Sequence, residues 1–331
     1  MTSSAARECS VARFLVTGGA GFIGSNLVLA LVRTGERVRV LDNLATGFWD
    51  NLDEIGDHAL VERVTGDIRD PKVVARACQG VEVVFHEAGL GSVPRSIEDP
   101  VEADSVNAGG TVRVLHAARR AKVRRVVFAA SSSAYGDTPT LPKQEDMRPA
   151  PLSPYAVSKL AAEHYLRVFS RVYGIETVSL RYFNVFGPRQ RPDGAYAAAI
   201  PKFIWAALCG VPVTVYGDGE QTRDFCFIDN AVAANLAAAQ APGPFRGDVA
   251  NVATGRRVSI NDLVAHLGQE LGARLTIEHT EPRPGDVRDS LADVSRAREL
   301  FGYEPTVNWE QGLPATIEYL RALARGRGVS C

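Results

Sequence analysis

Between an apolar run at Phe14–Thr17 and an amphipathic stretch at Gly24–Thr34 lies Thr17-Gly18-Gly19-Ala20-Gly21-Phe22-Ile23-Gly24-Ser25. A strand that turns at once into a helix needs a permissive backbone, and Gly18, Gly21 and Gly24 supply it. The same glycines let a ligand approach the main chain, and the N–H groups of the new helix then face it. The pattern predicts a strand–turn–helix unit cradling a pyrophosphate. Asp42, eighteen residues beyond Gly24 at the end of the next apolar run, completes it. A carboxylate there hydrogen-bonds adenosine ribose hydroxyls and repels a 2′-phosphate, so NAD is expected over NADP.

The unit repeats its rhythm. Apolar runs at Phe14–Thr17, Arg37–Leu41, Leu60–Thr65, Val81–His86, Arg125–Ala130 and Glu176–Arg181 read as strands. Helical stretches at Gly24–Thr34, Pro71–Ala77, Val106–Ala121 and Ala156–Tyr173 separate them. Such alternation predicts an α/β chain with a Rossmann-type, doubly wound parallel sheet over residues 11–183. Beyond Asn184, Gly187-Pro188, Arg191-Pro192-Asp193-Gly194 and Gly217-Asp218-Gly219 break the rhythm. Helical pieces at Ile200–Cys209, Asp229–Gln240, Ile260–Leu271 and Pro314–Ala324 follow with short strands. Residues 184–331 therefore read as a smaller α/β substrate-binding lobe, with a return to the first domain near residues 228–252.

Composition narrows the partners. The chain has 331 residues, 46% of them hydrophobic and 23% charged, as in ordinary soluble globular proteins. A net charge of −1 gives no reason to expect nucleic acid or an anionic membrane. No apolar run reaches the roughly 20 residues of a membrane span, and Met1–Ser10 lacks a signal-peptide core, so a cytoplasmic protein is expected. The five cysteines are scattered without a C-x-x-C pair, which suggests reduced thiols and neither a disulfide framework nor a metal site.

Around the cofactor, Gly66-Asp67-Ile68 follows the third strand, where Asp67 can take the adenine amino group and Ile68 can pack on the ring. Asn43 adjoins Asp42, and the small residue Ala88 in His86-Glu87-Ala88-Gly89 lets the chain pass close to the cofactor. His86, with no partner at ligand spacing, reads as structural. Tyr155 and Lys159 project from one helix face four residues apart. A phenol has a pKa of about 10 and is a poor base at neutral pH. A fixed ammonium beside it favours the phenolate and fits it for proton abstraction.

These segments, with Ser131-Ser132-Ser133-Ala134-Tyr135-Gly136, Arg181-Tyr182-Phe183-Asn184-Val185-Phe186-Gly187-Pro188, Thr222-Arg223-Asp224-Phe225 and Gly285-Asp286-Val287-Arg288, resemble the extended short-chain dehydrogenase/reductase family, and within it the nucleotide-sugar 4-epimerases. The resemblance implies that Tyr155 takes the proton from the sugar O4 while hydride leaves C4. Lys159 then binds the nicotinamide ribose, and Ser131, or Ser132 beside it, hydrogen-bonds O4. It further implies that Ser92, Ser132, Ser133, Asn184, Arg191, Ala198, Ala199, Tyr216, Arg223 and Arg288 bind a UDP-sugar. Asn184, Arg223 and Arg288 would meet the diphosphate, and Tyr216 and the main chain around Ala198–Ile200 the uracil. Paired helices Val101–Arg120 and Tyr155–Tyr173 would form a homodimer.

Related 4,6-dehydratases place an Asp-Glu pair after the catalytic serine and UDP-glucuronate decarboxylases a Glu; Ser132-Ser133-Ala134 has neither. Simple reduction after oxidation at C4 is thus favoured over elimination. Serines, Tyr155 and Lys159 together argue against a non-catalytic NAD-binding protein, while a net dehydrogenase stays a third possibility. For the sugar, Ser92-Val93-Pro94-Arg95-Ser96 and Gly194-Ala195-Tyr196-Ala197-Ala198 resemble UDP-N-acetylglucosamine 4-epimerases. Gly187-Pro188-Arg189-Gln190-Arg191-Pro192-Asp193 instead resembles UDP-glucuronate 4-epimerases. A guanidinium at Arg191 would pair with a C6 carboxylate, and this tilts the expectation to UDP-glucuronate over UDP-N-acetylglucosamine or UDP-glucose.

Overall fold

Strand β1 (Phe14–Thr17) is buried at all four positions, as a strand covered on both faces must be. The structure, a computed structural model, describes residues 12–55, 58–193, 198–282 and 287–328. Met1–Ser10, Gly194–Ala197, Gly285-Asp286 and the last three residues lie outside them. Among the described residues, β1 is joined by β2 (Val38–Asp42), β3 (Val61–Thr65), β4 (Val83–His86), β5 (Arg125–Ser131), β6 (Glu176–Tyr182) and β7 (Arg246–Val252). They form one sheet in the order β7-β6-β5-β4-β1-β2-β3, every neighbouring pair parallel. The expected doubly wound sheet is present, with β7 added beyond β6.

Alternation along the strands divides the core. Leu15, Val84 and Val126 pack with Val74, Val114, Leu115 and Leu166 of the helices on one face. Phe14, Val16, Phe85 and Val127 pack with Leu27, Val28, Ala231 and Ala234 on the other. The second cluster runs on without interruption into Phe203, Val213, Leu263, Leu313 and Ile317, so the elements beyond β6 share a core with the sheet. The order of strands reverses between β1 and β4. In an open α/β sheet a crevice forms outside the carboxyl ends of the strands at that point.

Several elements depart from the sequence reading for local reasons. The helix expected over Val106–Ala121 begins earlier, at Pro100–Asp104, passes through a π-helical turn at Ser105–Gly109 and continues as Gly110–Arg120. The last helix starts at Trp309 rather than Pro314, because Asn308 and Gln311 form a reciprocal capping box that sets its first turn. Pro314 then sits inside it, tolerated where Leu313, Ile317 and Leu320 are buried. No helix among the described residues is long and apolar enough to cross a membrane.

A buried ion pair ties the sheet to its longest helix, Pro154–Tyr173. Arg181 of β6 donates from Nε and Nη2 to Glu163 at 2.9 and 2.8 Å, with both side chains at most 3% exposed. Removing one member of such a pair strands the other charge in the interior. Glu163→Gln is expected to lower unfolding free energy by about 3–5 kcal/mol. Replacing both residues by apolar ones of similar volume should cost much less, a contrast that denaturant titration of the two variants will measure.

Candidate active site

The crevice at the ends of β1 and β4 is a cavity of about 520 Å³. Gly18, Gly21, Phe22, Ile23, Gly24, Asp42, Asn43, Asp67, Ile68, Ala88, Ser131, Tyr155 and Asn184 all line it. A second cavity of about 340 Å³ is lined by Ser92, Asn184, Ala198, Ala199, Tyr216 and Arg223, among others. Gly91, Asn184 and Val185 belong to both linings, so the two are contiguous there.

The glycine turn is built as the sequence requires. Gly18 has φ +69°, and a Cβ on it would lie 2.7 Å from the Ala88 Cα; a Cβ on Gly24 would lie 2.2 Å from the Gly18 carbonyl oxygen. No side chain caps the helix Phe22–Arg33, whose first turn faces the cavity. Unclaimed N–H groups at a helix start suit a phosphate. Asp42 accepts from Ala20 N at 3.0 Å and Leu44 N at 2.8 Å, which fixes its carboxylate at the cleft wall. Burial pushes its pKa up against those two bonds. Asp67 accepts from Asn43 Nδ2 at 2.9 Å and from Arg69 main chain and guanidinium, and Arg69 also pairs with Glu102 at 2.7 Å. The Arg69 bonds hold the Asp67 carboxyl far below the usual range. This lining, with its cramped glycine turn and anchored Asp42, fits a dinucleotide.

Beneath the lining runs a hydrogen-bonded chain centred on His86. Thr111 Oγ1 donates to Asn107 O at 2.5 Å, so its oxygen accepts from His86 Nε2–H at 2.9 Å. Nδ1 is then the acceptor from Thr17 Oγ1 at 2.7 Å, and Thr17 in turn accepts from Ala88 N at 3.3 Å. Asn107, in the π turn, clasps Leu90 through N and O and donates to Ser158 Oγ, which donates to the Tyr155 carbonyl. Nothing in the sequence singled out Asn107; its signal is the displaced register of the π turn, visible only in the fold.

Ser153 caps the long helix by accepting from Ala156 N, with Pro154 at its first position, and Tyr155 N donates to Ser96 Oγ at 3.0 Å. Four residues on, Lys159 Nζ donates to the Ala129 carbonyl at 2.8 Å and lies 4.9 Å from the Phe128 ring centroid. Burial lowers the Lys159 pKa to about 8, opposed by the negative charge of Glu87. The Tyr155 phenol is shifted upward by burial, with a bond from Ser131 opposing the shift. The Tyr–Lys spacing alone led to the opposite expectation. Desolvation is the larger effect here, and the ammonium is engaged by the Ala129 carbonyl. Of the serines, Ser131 lines the cleft and shares a 2.8 Å bond with Ser133 Oγ, whereas Ser132 and Ser133 are outside the lining.

The second cavity brings some of the expected substrate residues together and leaves others outside it. Lys202 and Arg223 are the charged groups among the described residues lining the second cavity, and both are cationic. Lys202 Nζ sits 5.4 Å from the Tyr216 ring, and Arg223 Nη1 donates to the Arg288 carbonyl at 2.9 Å. The Arg288 guanidinium is outside both linings and pairs with Asp218 at 3.2 Å. Asn184 lines both cavities, and its amide hydrogens go to Asp224 O and Ser290 Oγ, each at 3.1 Å. Arg191 is in neither lining. Its neighbour Arg189 is bonded to Asn26, Asn51 and Glu54, which pins the loop beside the helix Phe22–Arg33. Arg191 then stacks on Phe48 at 3.9 Å from the ring centroid. Sequence reasoning also gave no role to Glu87 and Tyr182, which both line the cofactor cleft.

The neutral, buried His86 makes one prediction. Burial lowers its pKa to about 3, so below about pH 6.5 the unfolded chain binds a proton that the folded one excludes. Its contribution to stability is intact above that pH and is lost as pH falls from about 6.5 to about 3. The pH slope of unfolding free energy in that window should be shallower by about one proton in His86→Gln, as urea titrations at a series of pH values will test.

The profile of the NAD dependent epimerase/dehydratase family matches residues 14–253. A UDP-glucose 4-epimerase of Mycolicibacterium smegmatis is 40% identical over 312 residues, covering 93% of this chain and 98% of the relative. The UDP-N-acetylglucosamine 4-epimerase of Methanobrevibacter ruminantium M1, in complex with UDP-N-acetylmuramic acid, superposes with a TM-score of 0.89 at 36% identity, over 94% of this chain and 99% of that one. The UDP-glucuronic acid 4-epimerase of Bacillus cereus, in complex with UDP-glucuronic acid and NAD, gives 0.88 at 33% identity with the same coverage. The cofactor of this family is NAD, in keeping with the cleft. The chain belongs to the NAD-dependent epimerase/dehydratase family, as one of its nucleotide-sugar 4-epimerases.

Proposed function

We propose that the protein inverts C4 of a UDP-linked hexose whose C6 carries no charge, UDP-glucose or UDP-N-acetylglucosamine, through a transient 4-keto sugar. What carries this reading is the pair of contiguous cavities, one fitted to the dinucleotide and presenting Ser131 and Tyr155, the other cationic and apolar. NAD, when bound, accepts and returns the hydride at C4. Tyr155 Oη takes the O4 proton and later gives it back, while the Ser131 hydroxyl bridges to O4. Lys159 holds the nicotinamide ribose and favours the phenolate once its ammonium faces the ribose. Arg223 and Lys202 meet the diphosphate end, where a guanidinium can donate two bonds to phosphate oxygens. Ser92, at the start of the helix Val93–Glu98, faces the same cavity.

The choice of sugar turns on Arg191. A buried carboxylate without a partner is costly, so a uronate needs a cation or several donors at its C6. The guanidinium expected to serve lies on Phe48. The hydroxyls of Ser131 in one cavity and Ser92 in the other suit hydroxyl and acetamido groups.

The test is a panel of UDP-sugars with products resolved by NMR at C4. UDP-glucose and UDP-N-acetylglucosamine should exceed UDP-glucuronate in kcat/KM by about tenfold or more, and Arg191→Ala should leave that ratio unchanged. Preference for UDP-glucuronate that disappears in Arg191→Ala would restore the uronate reading. Tyr155→Phe should lose about 10²–10⁴ in kcat while retaining NAD, as expected when a positioned acid–base group is removed. Net accumulation of NADH in step with product would identify a dehydrogenase instead.

The exposed face of the long helix supports a homodimer. Val157, Val168 and Val172 of the helix Pro154–Tyr173, with Val101 and Ile97, are exposed apolar residues, Val101 at 77% and Val172 at 64%. A stripe of this kind along a helix is suited to cover by a second copy. Val168→Glu with Val172→Glu should convert a dimer to monomer in light scattering while leaving the fold intact by circular dichroism.

A further inference from the structure

Glu87 follows His86 at the end of β4 and lines the cofactor cleft. Its Oε1 accepts from the Tyr182 hydroxyl at 3.0 Å, and that hydroxyl accepts from Asn235 Nδ2 at 2.6 Å. Asn235 comes from the helix Ile228–Gln240, so three elements converge to hold one carboxyl. The other oxygen, Oε2, is buried and has no hydrogen-bond partner. A carboxylate oxygen left in this way is costly unless something else meets it. Tyr182 is the register partner of Ser131 across β6 and β5, which places the held carboxyl at the reacting end of the cleft rather than the adenine end. Lys159 is close enough for the two charges to feel each other.

We propose that Glu87 is the counter-charge to the nicotinamide, an ionised carboxyl that favours the oxidised, cationic ring over the reduced, neutral one. This rests on NAD as cofactor and not on which sugar is bound. The chemistry is asymmetric in a useful way. Lys159, needed for the ribose and the phenolate, makes a cationic ring less favourable by simple repulsion. Glu87 offsets that repulsion and keeps the reduced cofactor eager to return its hydride to the keto sugar. An enzyme that must give back every hydride gains from such a bias; a net dehydrogenase would not.

Among the described residues, the ionisable groups facing Glu87 are Lys159 from the long helix and Tyr182 from β6, with His86 beside it on its own strand; the helix Ile228–Gln240 contributes the neutral Asn235. Burial keeps His86 neutral, and Tyr182 is held protonated by burial and by the nearby carboxyl. Burial also raises the Glu87 pKa to about 7, so its charge can be switched by pH in the folded protein. Lys159 titrates near 8 and contributes its own pH dependence, which a variant at position 87 leaves in place.

The test needs no turnover. Full-length protein is equilibrated with an external pool of NAD and NADH in fixed ratio, and the ratio bound is measured after separation. For unit charges roughly 10 Å apart at an effective permittivity of about 20, Glu87→Gln should raise the bound NADH-to-NAD ratio by about tenfold at about pH 8.5. At about pH 5.5, where the native carboxyl is protonated, the two proteins should agree. An unchanged ratio at both pH values overturns the proposal, and an equal change at both marks a structural effect and overturns it too. Tyr182→Phe, which frees the carboxyl without removing it, should give a smaller change in the same direction; a larger one than Glu87→Gln would count against it. Failure to bind either dinucleotide would instead overturn the cofactor assignment.

Discussion

A single neutral imidazole fixes the distance between the walls of the cofactor cleft. His86 reaches one way to Thr17, which carries the glycine turn, and the other way to Thr111, which carries the π turn and its Asn107. Each hydroxyl in the chain has a single hydrogen and has spent it, so the donor–acceptor order admits one tautomer. A protonated ring would have two donors facing one acceptor and one donor. The buried chain therefore holds only while His86 is uncharged, and burial keeps it so. From Asn107 the same bonds pass to Ser158 and the carbonyl of Tyr155. The proposed base and the glycine turn are thus set by one relay.

Charge is handled differently in the two halves. Behind the serine turn, Arg181 pairs with Glu163, and its guanidinium lies 4.6 Å from the Tyr135 ring centroid. Beside Arg223, the buried Asp224 is satisfied by Thr254, Gly255 and Ala292, and so ties three loops behind the second cavity. These contacts fix shape. In the cleft, by contrast, Lys159 and Glu87 lie near one another without a direct ion pair among the described bonds, and both have pKa values drawn toward neutrality. Incomplete pairing of that kind is a mark of sites where charge has to change during a reaction.

Much of this was legible in the chain. The six strands of the first half, the glycine turn and Asp42 follow from period, composition and spacing, because the backbone itself imposes them. Pro314 misled, since a proline is a strong local signal for a helix boundary, while the capping box at Asn308–Gln311 sets the true start one turn earlier. Arg191 and Asn184 show a different limit. Sequence places a residue in a loop, but the direction of its side chain depends on Arg189 pinning that loop and on Ser290 and Asp224 drawing the amide inward. Glu87 stood in plain view beside His86. Its meaning depends on Tyr182 and Asn235, 95 and 148 residues away, and no local pattern brings those together.

The connection between β6 and β7 has a consequence for how such proteins diversify. Between Tyr182 and Arg246 the chain lays down most of the wall of the second cavity, passes along Ile228–Gln240 beneath the sheet and rejoins it next to the strand it left. Topologically that wall is an overgrown crossover, and its two stems are neighbours in one hydrogen-bonded ladder. Residues of that wall that line only the second cavity, such as Ala198–Phe203, Thr214 and Tyr216, can change without altering strand order. Relatives of similar identity that carry the names of glucose, N-acetylglucosamine and glucuronate enzymes are what a fixed reaction centre with an editable wall would produce.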